Sequence, residues 1–436
     1  MASTSLAPSA PAMSSRVIDR IPFHYSWVIL AAGTFGLMMT IPGQTIGVSV
    51  FLDPMIADLG LSRSQVSLMY MVGTLVASLW LSFVGRFIDR KGPRLAVVII
   101  SGLFACACVG MGFVNGLVTL GLGFLTIRAL GQGGLGLVSR QVINLWFVKR
   151  RGFALGLMGV GFALASSLVP LLITGLVAGL GWRMAYMALG LVIALTILPI
   201  GAIFYRGRPE LFGLQPDGSL ATADGKRASS PIQEKNVTAA VARRTLVFWL
   251  FAGGTFSMSM LGTALMFHHF SIMEAAGLDR ATAALVLMPI GFVKAAANFT
   301  TGILMDRMAP RRLLVIMLGL LVLALIMPIG LTGVAGMLAY ACVLGWGVGM
   351  SVTINSGVYA YYFGRLHLGT IMGQTATLTV IGSALGPFAF AYGLERFGNY
   401  SLTLGLSALM PLAIGVFASL ARIPDSFEPS ASDPSS

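Results

Sequence analysis

Three cations lie inside long stretches of this 436-residue chain that otherwise carry almost no charge. They are Arg128, Arg140 and Lys294, whereas the Asp and Glu residues fall in polar segments or near the ends of apolar stretches, with Asp53 the nearest to an exception. A charged group removed from water is costly unless an opposite charge accompanies it. The three cations therefore favour an anion that arrives from solution and binds among them.

Polar side chains follow two of these cations at helical spacing. Lys294 is followed by Asn298 and Thr301, and Arg128 by Gln132, at separations of four or seven residues. Such spacing places each set on one face of a helix. With neutral hydrogen-bonding partners from other apolar stretches, the predicted substrate-binding residues are Lys294, Arg128, Asn298, Gln44 and Gln374.

Each cation also has a structural interpretation. Arg128 can instead bond backbone carbonyls where helices cross, and the Lys294 side chain can extend along a cavity wall to reach water. Arg140 lies nearer the cytoplasmic end of its apolar stretch than Arg128 does, so a structural role is favoured for it and it is not among the predicted binding residues.

A pair of histidines supplies other titratable chemistry. His268 and His269 stand in FHHF near the end of an apolar stretch. Histidine titrates near neutral pH, so this pair could accept a proton where no buried carboxylate is available. Asp53 is the other candidate proton site. Histidines at a membrane interface also serve as polar anchors, and that alternative stays open.

The composition indicates that membrane-spanning helices hold these residues. Hydrophobic residues make up 56% of the chain and charged residues only 10%, and the mean hydropathy is +0.88, outside the range typical of soluble domains. The 54 glycines suit membrane helices that pack through small residues. The net charge of +13 is spread over short loops, so it does not indicate a nucleic-acid-binding surface.

Apolar stretches of about twenty residues or more predict twelve membrane-spanning helices, which we number spans 1 to 12. Their ranges are 24–50, 63–86, 94–114, 117–147, 152–179, 182–205, 245–272, 280–305, 311–331, 334–362, 367–394 and 399–421. The predicted organisation is a tail (1–23), a six-helix bundle (24–205), a polar linker (206–244), a second six-helix bundle (245–421) and a second tail (422–436). Lys and Arg concentrate on one side, so both termini and the linker are expected to be cytoplasmic.

The two predicted bundles repeat one another. GRFIDRKGPR, which begins at Gly85, is echoed by GILMDRMAPR, which begins at Gly302, an offset of 217 residues. The same offset relates three further groups of residues: Gly60, Leu61 and Arg63 to Gly277, Leu278 and Arg280; Gly152 and Gly156 to Gly369 and Gly373; and Pro170 to Pro387. Because six is even, the two copies share one orientation in the membrane, which predicts parallel repeats.

These motifs resemble those of the major facilitator superfamily over nearly all of residues 20 to 422. GRFIDRKGPR and GILMDRMAPR resemble the family's loops after its second and eighth helices. RALGQGG (128–134) resembles its fourth-helix arginine motif, and GSALGPF (382–388) resembles its eleventh-helix Gly-Pro motif. FLDPMIADLGLSRSQVSLMY (51–70) and NLWFVKRRGFALGL (144–157) resemble the branch of monocarboxylate and oxalate/formate porters.

The resemblance implies an all-α transporter in which two six-helix halves rock about a central cavity. It also implies that the loop charges hold helix ends together in one of two access states. On this chain the gating residues would be Asp89, Arg90, Arg94, Asp306, Arg307 and Arg311. Carboxylates at such junctions are expected near the positive N-termini of helices. The alternative is that these charges only set the membrane orientation.

The chain departs from the branch it resembles. Monocarboxylate porters carry an Asp and an Arg one turn apart on the eighth helix, where this chain has Lys294 and Asn298. The eleventh-helix lysine of the oxalate porter has no counterpart in span 11. One strong cation in the second half suits a monoanion better than a dianion.

The predicted function is therefore secondary transport of a small organic anion, with a monocarboxylate as the leading substrate, by proton symport or anion exchange. Efflux of hydrophobic compounds through a methionine-rich cavity and a non-transporting membrane sensor are the alternatives. No nucleophile with a base and no paired carboxylates lie at depth, so an enzyme is not expected. Cys106, Cys108 and Cys342 lie in apolar runs, and no metal or other cofactor is predicted. The protein is expected to be a multi-pass monomer of the cell (inner) membrane.

Overall fold

The computed structural model describes residues 16–218, 237–278, 280–330 and 333–421, and within these ranges the chain is helical without strands. Span 1 consists of Ser26–Met38 and Thr45–Leu59, span 2 is Arg63–Lys91 and span 3 is Pro93–Met111. Span 4 consists of Leu117–Ile127, Arg128–Leu135 and Gly136–Trp146. Arg151–Leu195 and Ile197–Phe204 together form spans 5 and 6. Gly181 has a φ of 74° and divides Arg151–Leu195 between spans 5 and 6. Spans 7 to 12 are Leu246–Phe267, Arg280–Met305, Pro310–Gly330, Gly333–Phe363, Leu368–Phe397 and Tyr400–Leu420.

Shorter helices flank the spans. They are Arg16–Asp19, the 3-10 turns Ile41–Gly43, Pro209–Phe212 and Pro216–Gly218, and the helices Ala239–Ala242 and His269–Ala275. Residues 1–15, 219–236 and 422–436 lie outside the described chain, so the predicted tails and linker are described only in part and their boundaries stay predictions. The cytoplasmic orientation of the termini stays a prediction as well.

The helices have the length and polarity of a membrane protein. Among the described residues, nine helical stretches are long and apolar enough to cross a bilayer, and one of them, Arg151–Phe204, contains two spans. Spans 4 and 8, which carry the three cations, are not among the nine. Large apolar side chains such as Leu79, Phe83 and Leu171 are exposed on the outside of the bundle, as lipid-facing residues are.

Two of the helices in the first half are interrupted at the same place. Span 1 breaks at the Ile41–Gly43 turn, which contains Pro42, and span 4 becomes π-helical over Arg128–Leu135. A Cβ on Gly43 would lie 2.4 Å from the carbonyl oxygen of Ile127, so glycine is needed for the two breaks to meet. Breaks of this kind leave backbone carbonyls unpaired and often mark functional sites.

The two halves touch through glycines at one end of the molecule. A Cβ on Gly85 of span 2 would lie 1.9 Å from the carbonyl oxygen of Gly369 of span 11. A Cβ on Gly302 of span 8 would lie 2.5 Å from the carbonyl oxygen of Gly152 at the start of span 5. These are the glycines that the 217-residue offset relates. Span 2 therefore crosses span 11 much as span 8 crosses span 5, as expected for a duplicated unit.

We call this end of the molecule the basic face. Spans 2, 4, 6, 8, 10 and 12 end there, and the exposed side chains of Arg90, Lys91, Arg94, Arg307 and Arg312 lie on it. The glycine crossings bring the halves together at this face, and the contacts described below complete the closure.

Candidate functional site

A cavity of about 630 Å³ lies between the two halves. Spans 1, 2 and 4 form one wall, and spans 7, 8, 10 and 11 form the other. The volume is in the range of small-molecule sites. Arg128, Arg140 and Lys294 all line the cavity, and no Asp or Glu is among the described residues around it. The structure thus brings two cations of span 4 and one of span 8 to a single cavity, around which the described residues include no carboxylate.

Arg128 is partly engaged by the protein itself. Its Nε donates to Thr74 Oγ1 at 3.0 Å, and its Nη1 donates to the Gly43 carbonyl at 3.2 Å and to Thr45 Oγ1 at 3.3 Å. The guanidinium also lies 4.9 Å from the ring centroid of Tyr70. Arg128 therefore joins span 4 to the break in span 1, as its structural interpretation proposes, while it contributes charge to the cavity wall.

Lys294 and Arg140 have different surroundings from Arg128. Within the described chain, neither side chain makes a hydrogen bond or an ion pair, and both are only partly exposed. They belong to opposite halves, with Arg140 on span 4 and Lys294 on span 8. An unpaired cation in a partly desolvated cavity is a strong site for an anion, because the anion replaces the hydration that the cation has lost.

Neutral polar groups complete the lining. Ser351 and Asn355 on span 10 and Ser259 and Thr263 on span 7 face the cavity, and none of the four was among the binding residues predicted from the sequence. Each pair is spaced by four residues, so a search for polar pairs at helical spacing in spans 7 and 10 would have found them. Apolar groups, including Met258 and Met266, fill the remaining wall.

Three of the predicted binding residues are not among those that line the cavity. Asn298 is 2% exposed, and both its backbone oxygen and its side-chain oxygen accept from Thr353 Oγ1, at 3.2 and 3.3 Å. Gln44 donates to Thr40 Oγ1 at 3.0 Å. Gln374 is half-buried on span 11, and its Oε1 accepts no hydrogen bond. The stripe on span 8 therefore presents Lys294 to the cavity but turns Asn298 toward neighbouring helices.

The candidate proton sites also lie away from the cavity. The His268 ring nitrogens lie 3.1 Å from Tyr400 Oη and 3.0 Å from the Pro387 carbonyl oxygen, contacts that suit an anchoring role. His269 is 1% exposed, and Asp53 is exposed on span 1. None of the three lines the cavity.

Asp89 seals the basic face between spans 2 and 11. Its carboxylate accepts from the backbone N–H groups of Gly369 at 2.8 Å and Thr370 at 2.7 Å, and from Thr370 Oγ1 at 2.8 Å. It also accepts from Gln141 Nε2 of span 4 at 2.8 Å. A carboxylate from one half thus caps the N-terminus of a helix in the other half, where the helix dipole and the unpaired N–H groups favour negative charge.

Asp306 makes the equivalent junction with fewer donors. It accepts from the backbone N–H groups of Gly152 at 2.7 Å and Phe153 at 2.9 Å, at the start of span 5. Desolvation raises the pKa of Asp306 above its ordinary value, and the two backbone hydrogen bonds and the charge of Arg151 only partly oppose this shift. Asp89 and Asp306 are separated by the repeat offset, so the two junctions are equivalent in the two halves.

The arginines predicted to take part in gating make contacts inside their own halves. Arg94 Nε donates to the Ala202 carbonyl at 2.7 Å near the end of span 6. Arg311 donates to the carbonyls of Ala418 and Ser419 at the end of span 12. Both therefore neutralise the negative end of a helix dipole. Arg90 and Arg307 are exposed. The aspartates join the halves, whereas the hydrogen bonds of Arg94 and Arg311 brace each half separately.

Further contacts across the halves lie beside these junctions and deeper along the cavity. Asn144 Nδ2 of span 4 donates to the Ser356 carbonyl of span 10 at 2.8 Å, and Thr377 Oγ1 of span 11 donates to the Ser78 carbonyl of span 2 at 2.6 Å. Arg365 donates to the Leu145 carbonyl and pairs with Glu210. We call the two aspartate junctions, together with the Asn144–Ser356 and Arg365–Leu145 contacts at the basic face, the seal.

Known proteins resemble the chain along most of its length. The sequence model of the Major Facilitator Superfamily matches residues 27–387 and 253–436. The "Oxalate:formate antiporter" of Oxalobacter formigenes is 21% identical over 80% of this chain and 82% of its own. The "Probable sulfoacetate transporter SauU" of Cupriavidus necator is 25% identical over 86% of this chain and 89% of its own. The solved structure of FucP in its outward conformation covers 92% of this chain and all of its own, with a TM-score of 0.70 and 15% identity.

Proposed function

The chain belongs to the Major Facilitator Superfamily, and from this premise we propose that it exchanges small carboxylate anions across the cell membrane by alternating access. Membership of the family makes it a multi-pass membrane transporter and not an enzyme, and it removes the sensor from consideration. The resemblance to oxalate/formate porters, seen first in the motifs, agrees with the relatives of similar length. The substrate, the coupling and the membrane are parts of the proposal.

One observation carries the assignment of an anion. Lys294 and Arg140 face one cavity from opposite halves, and the described residues around that cavity supply no carboxylate to either. A carboxylate substrate would complete the charge pairing and provide hydrogen-bond acceptors for both donors. The neutral hydroxyl and amide groups of Ser259, Ser351 and Asn355 would bind the remaining polar atoms of such a substrate.

The same observation favours exchange over proton symport. An empty carrier must move its unpaired cations through an occluded, water-poor state, whereas a loaded carrier moves them with their charge compensated. Return of the empty carrier is therefore disfavoured, which is the condition for obligatory exchange. The candidate proton sites, His268, His269 and Asp53, do not line the cavity, so they offer a substrate proton no direct path.

The two relatives support a small carboxylate as the substrate. Their printed names describe an antiporter of oxalate and formate and a transporter of sulfoacetate. These anions carry one or two negative charges on a short skeleton, which suits a cavity of this size. The monocarboxylate expected from the sequence is one member of this class, and the proposal extends to anions with two charges.

Exchange in proteoliposomes tests the proposal. Vesicles loaded with formate, acetate, oxalate or sulfoacetate would be assayed for uptake of labelled formate and oxalate. Saturable uptake that requires an internal anion is expected. Lys294→Gln should abolish this uptake, and Lys149→Gln, the same substitution at an exposed position on the basic face, should leave it unchanged. Folding of both variants would be checked by size-exclusion chromatography and thermal stability.

Three outcomes would contradict the proposal. Full uptake by Lys294→Gln would remove the charge argument. Uptake that needs an imposed pH gradient and no internal anion would establish proton symport instead of exchange. Transport of hydrophobic compounds without dependence on Lys294 would favour the efflux alternative, for which Met258 and Met266 in the cavity wall supply an adaptable surface.

A further inference from the structure

Arg140 is the cavity cation nearest the seal. At about 1.5 Å per residue, it lies about 9 Å along span 4 from Trp146, where that span ends at the basic face. By the same measure Lys294 lies about 16 Å from Met305, the corresponding end of span 8. Arg128 is farther still from the basic face. The three cations are therefore staggered along the cavity, and Arg140 stands at its closed end.

The residues that follow Arg140 on span 4 hold the seal. Gln141 Nε2 donates to Asp89 at 2.8 Å. Asn144 Nδ2 donates to the Arg140 carbonyl at 3.0 Å and to the Ser356 carbonyl, in the other half, at 2.8 Å. The Leu145 carbonyl accepts from Arg365, also in the other half. One short helical segment thus carries a cavity cation and three successive contacts of the seal.

We infer that Arg140 is the residue through which a bound anion releases the seal, and that Gln141 is the positioning residue that joins the Arg140 segment to Asp89. This inference rests on the proposed exchange of anions. A ligand shifts a conformational equilibrium only if it binds the two states differently. An anion on Arg140 contacts the very segment that must move when the seal breaks, whereas Lys294 lies farther from any contact of the seal.

The second half has no equivalent of this arrangement. The repeat offset relates Arg140 to Gly357 and Gln141 to Val358. Gly357 packs so closely that an added Cβ would lie 2.3 Å from the Met305 side chain. The Asp306 junction therefore has no side-chain amide to steady it, and the cation near it, Arg151, is not among the residues that line the cavity. Coupling between anion and seal is confined to the Asp89 junction.

A distance measurement across the basic face tests this inference. Spin labels would be placed at Lys91→Cys and Arg312→Cys, which are exposed on opposite halves, after Cys106, Cys108 and Cys342 are replaced by alanine. Oxalate and formate are the probes. With the Arg140–Gln141 segment intact, oxalate or formate should increase the population with a long interspin distance. Their affinity would be measured in the same samples by calorimetry.

The variants separate binding from release of the seal. Arg140→Gln should bind the probe anion through Lys294 with affinity within about tenfold of the native value, the loss of one charge-assisted contact, yet the anion should no longer shift the distance. Gln141→Leu should increase the long-distance population about tenfold without any anion, because one hydrogen bond to a carboxylate is lost. Gln141→Lys keeps a hydrogen-bond donor for Asp89 and should therefore retain the interspin-distance distribution of the native protein. Arg150→Gln, an exposed matched control, should behave as the native protein does.

Either of two results would overturn the inference. One is an anion-induced shift in Arg140→Gln as large as in the native protein. The other is a Gln141→Leu distribution equal to that of the native protein. Failure of the proposed function is distinguishable, because it would appear as no binding of oxalate or formate to the native protein, while the anion-free comparison of the Gln141 variants would still report on the seal.

Discussion

The two aspartate junctions have the same backbone arrangement but different side-chain support. Asp89 and Asp306 occupy equivalent positions in the repeat, and each caps the N-terminus of a helix in the opposite half. Asp89 accepts four hydrogen bonds, from two backbone N–H groups, Thr370 Oγ1 and Gln141. Asp306 accepts two, both from backbone. The duplication thus preserved the helix-capping geometry, while divergence of neighbouring side chains made one junction better supported than the other.

The side chains that line the cavity differ between the two halves even more than those at the aspartate junctions do. The repeat offset relates Arg128 to Gly345 and Arg140 to Gly357, and it relates Lys294 to Ala77. Each of the three cations that line the cavity therefore corresponds to a small residue at the equivalent position of the other half. The symmetric features of the chain build the scaffold and the crossings between the halves, and the asymmetric ones build the proposed anion site.

The glycine crossings should give the largest effects. Gly85→Ala places a Cβ 1.9 Å from the Gly369 carbonyl oxygen, and Gly302→Ala places one 2.5 Å from the Gly152 carbonyl oxygen. Each should disfavour the sealed state by about 1–3 kcal/mol, the usual cost of overpacking, and Gly85→Ala should have the larger effect. Exchange rates and the interspin distance across the basic face are the measurements.

A glycine with open space around it supplies the control for that experiment. Gly405→Ala in span 12 adds a Cβ with no atom within 4 Å and should leave exchange unchanged. Equal exchange by the Gly85, Gly302 and Gly405 variants would mean that the close crossings do not limit the seal.

Neutralising each aspartate should change the exchange rate less than the glycine substitutions do, and by different amounts at the two junctions. In Asp89→Asn and Asp306→Asn the amide oxygen can still accept, but the charge that the helix N-terminus favours is lost. We expect the exchange rate to fall about tenfold for Asp89→Asn, which corresponds to about 1.4 kcal/mol. The fall should be smaller for Asp306→Asn, because fewer donors depend on that carboxylate and desolvation already disfavours its charge. Anion affinity, measured by calorimetry, should change little in either variant.

Comparison of the exchange rate with the anion affinity of each variant tests that prediction. A large loss of affinity with normal turnover in Asp89→Asn would place the carboxylate in the binding site and not in the seal. Equal losses of rate in the two variants would show that the additional donors from Thr370 and Gln141 do not strengthen the first junction.

The pH dependence of stability should give the smallest effect, and only at the Asp306 junction. Because the pKa of Asp306 is raised in the folded protein, the folded state binds the proton more tightly than the unfolded state does. The resulting stabilisation is fully present below the unfolded-state pKa and is lost as the pH rises through the raised value. The melting temperature of the native protein, relative to Asp306→Asn, should therefore rise as the pH falls from neutral.

The Asn substitution removes this titration and leaves the other groups in place, so the difference between the two melting curves isolates Asp306. A relative melting temperature that falls on acidification would mean that the two backbone hydrogen bonds outweigh desolvation, which is the reverse of the shift described above.

Much of the architecture was predictable from local patterns. Twelve apolar stretches indicate twelve spans, since a bilayer requires about twenty apolar residues per helix. The repeat offset predicts which glycines and aspartates are equivalent, and the positive ends of helices explain why the aspartates lie at junctions. The three cations of the cavity were predicted without any structure, because the cost of burying charge makes each one conspicuous in an apolar stretch.

The identity of the neighbouring residues was not predictable in the same way. A helical stripe tells which residues share a face but not which neighbour that face meets, and for this reason Asn298 turned toward Thr353 while Lys294 met the cavity. The π-helical segment at Arg128–Leu135 changes the register of span 4, and the 3.6-residue periodicity of the sequence does not indicate that change. Ser351 and Asn355 joined the site from a span in which the sequence marked no charge.

By itself, then, the amino-acid sequence determined the number of spans, the duplication and the presence of unpaired positive charge, because each depends on the cost of exposing polar groups to lipid, residue by residue. Only the tertiary structure decided that Arg140 and Lys294 share one cavity, and that Gln141 supports Asp89 but has no counterpart beside Asp306. Those contacts join residues distant in the chain, and their formation depends on how whole helices cross and rotate against one another.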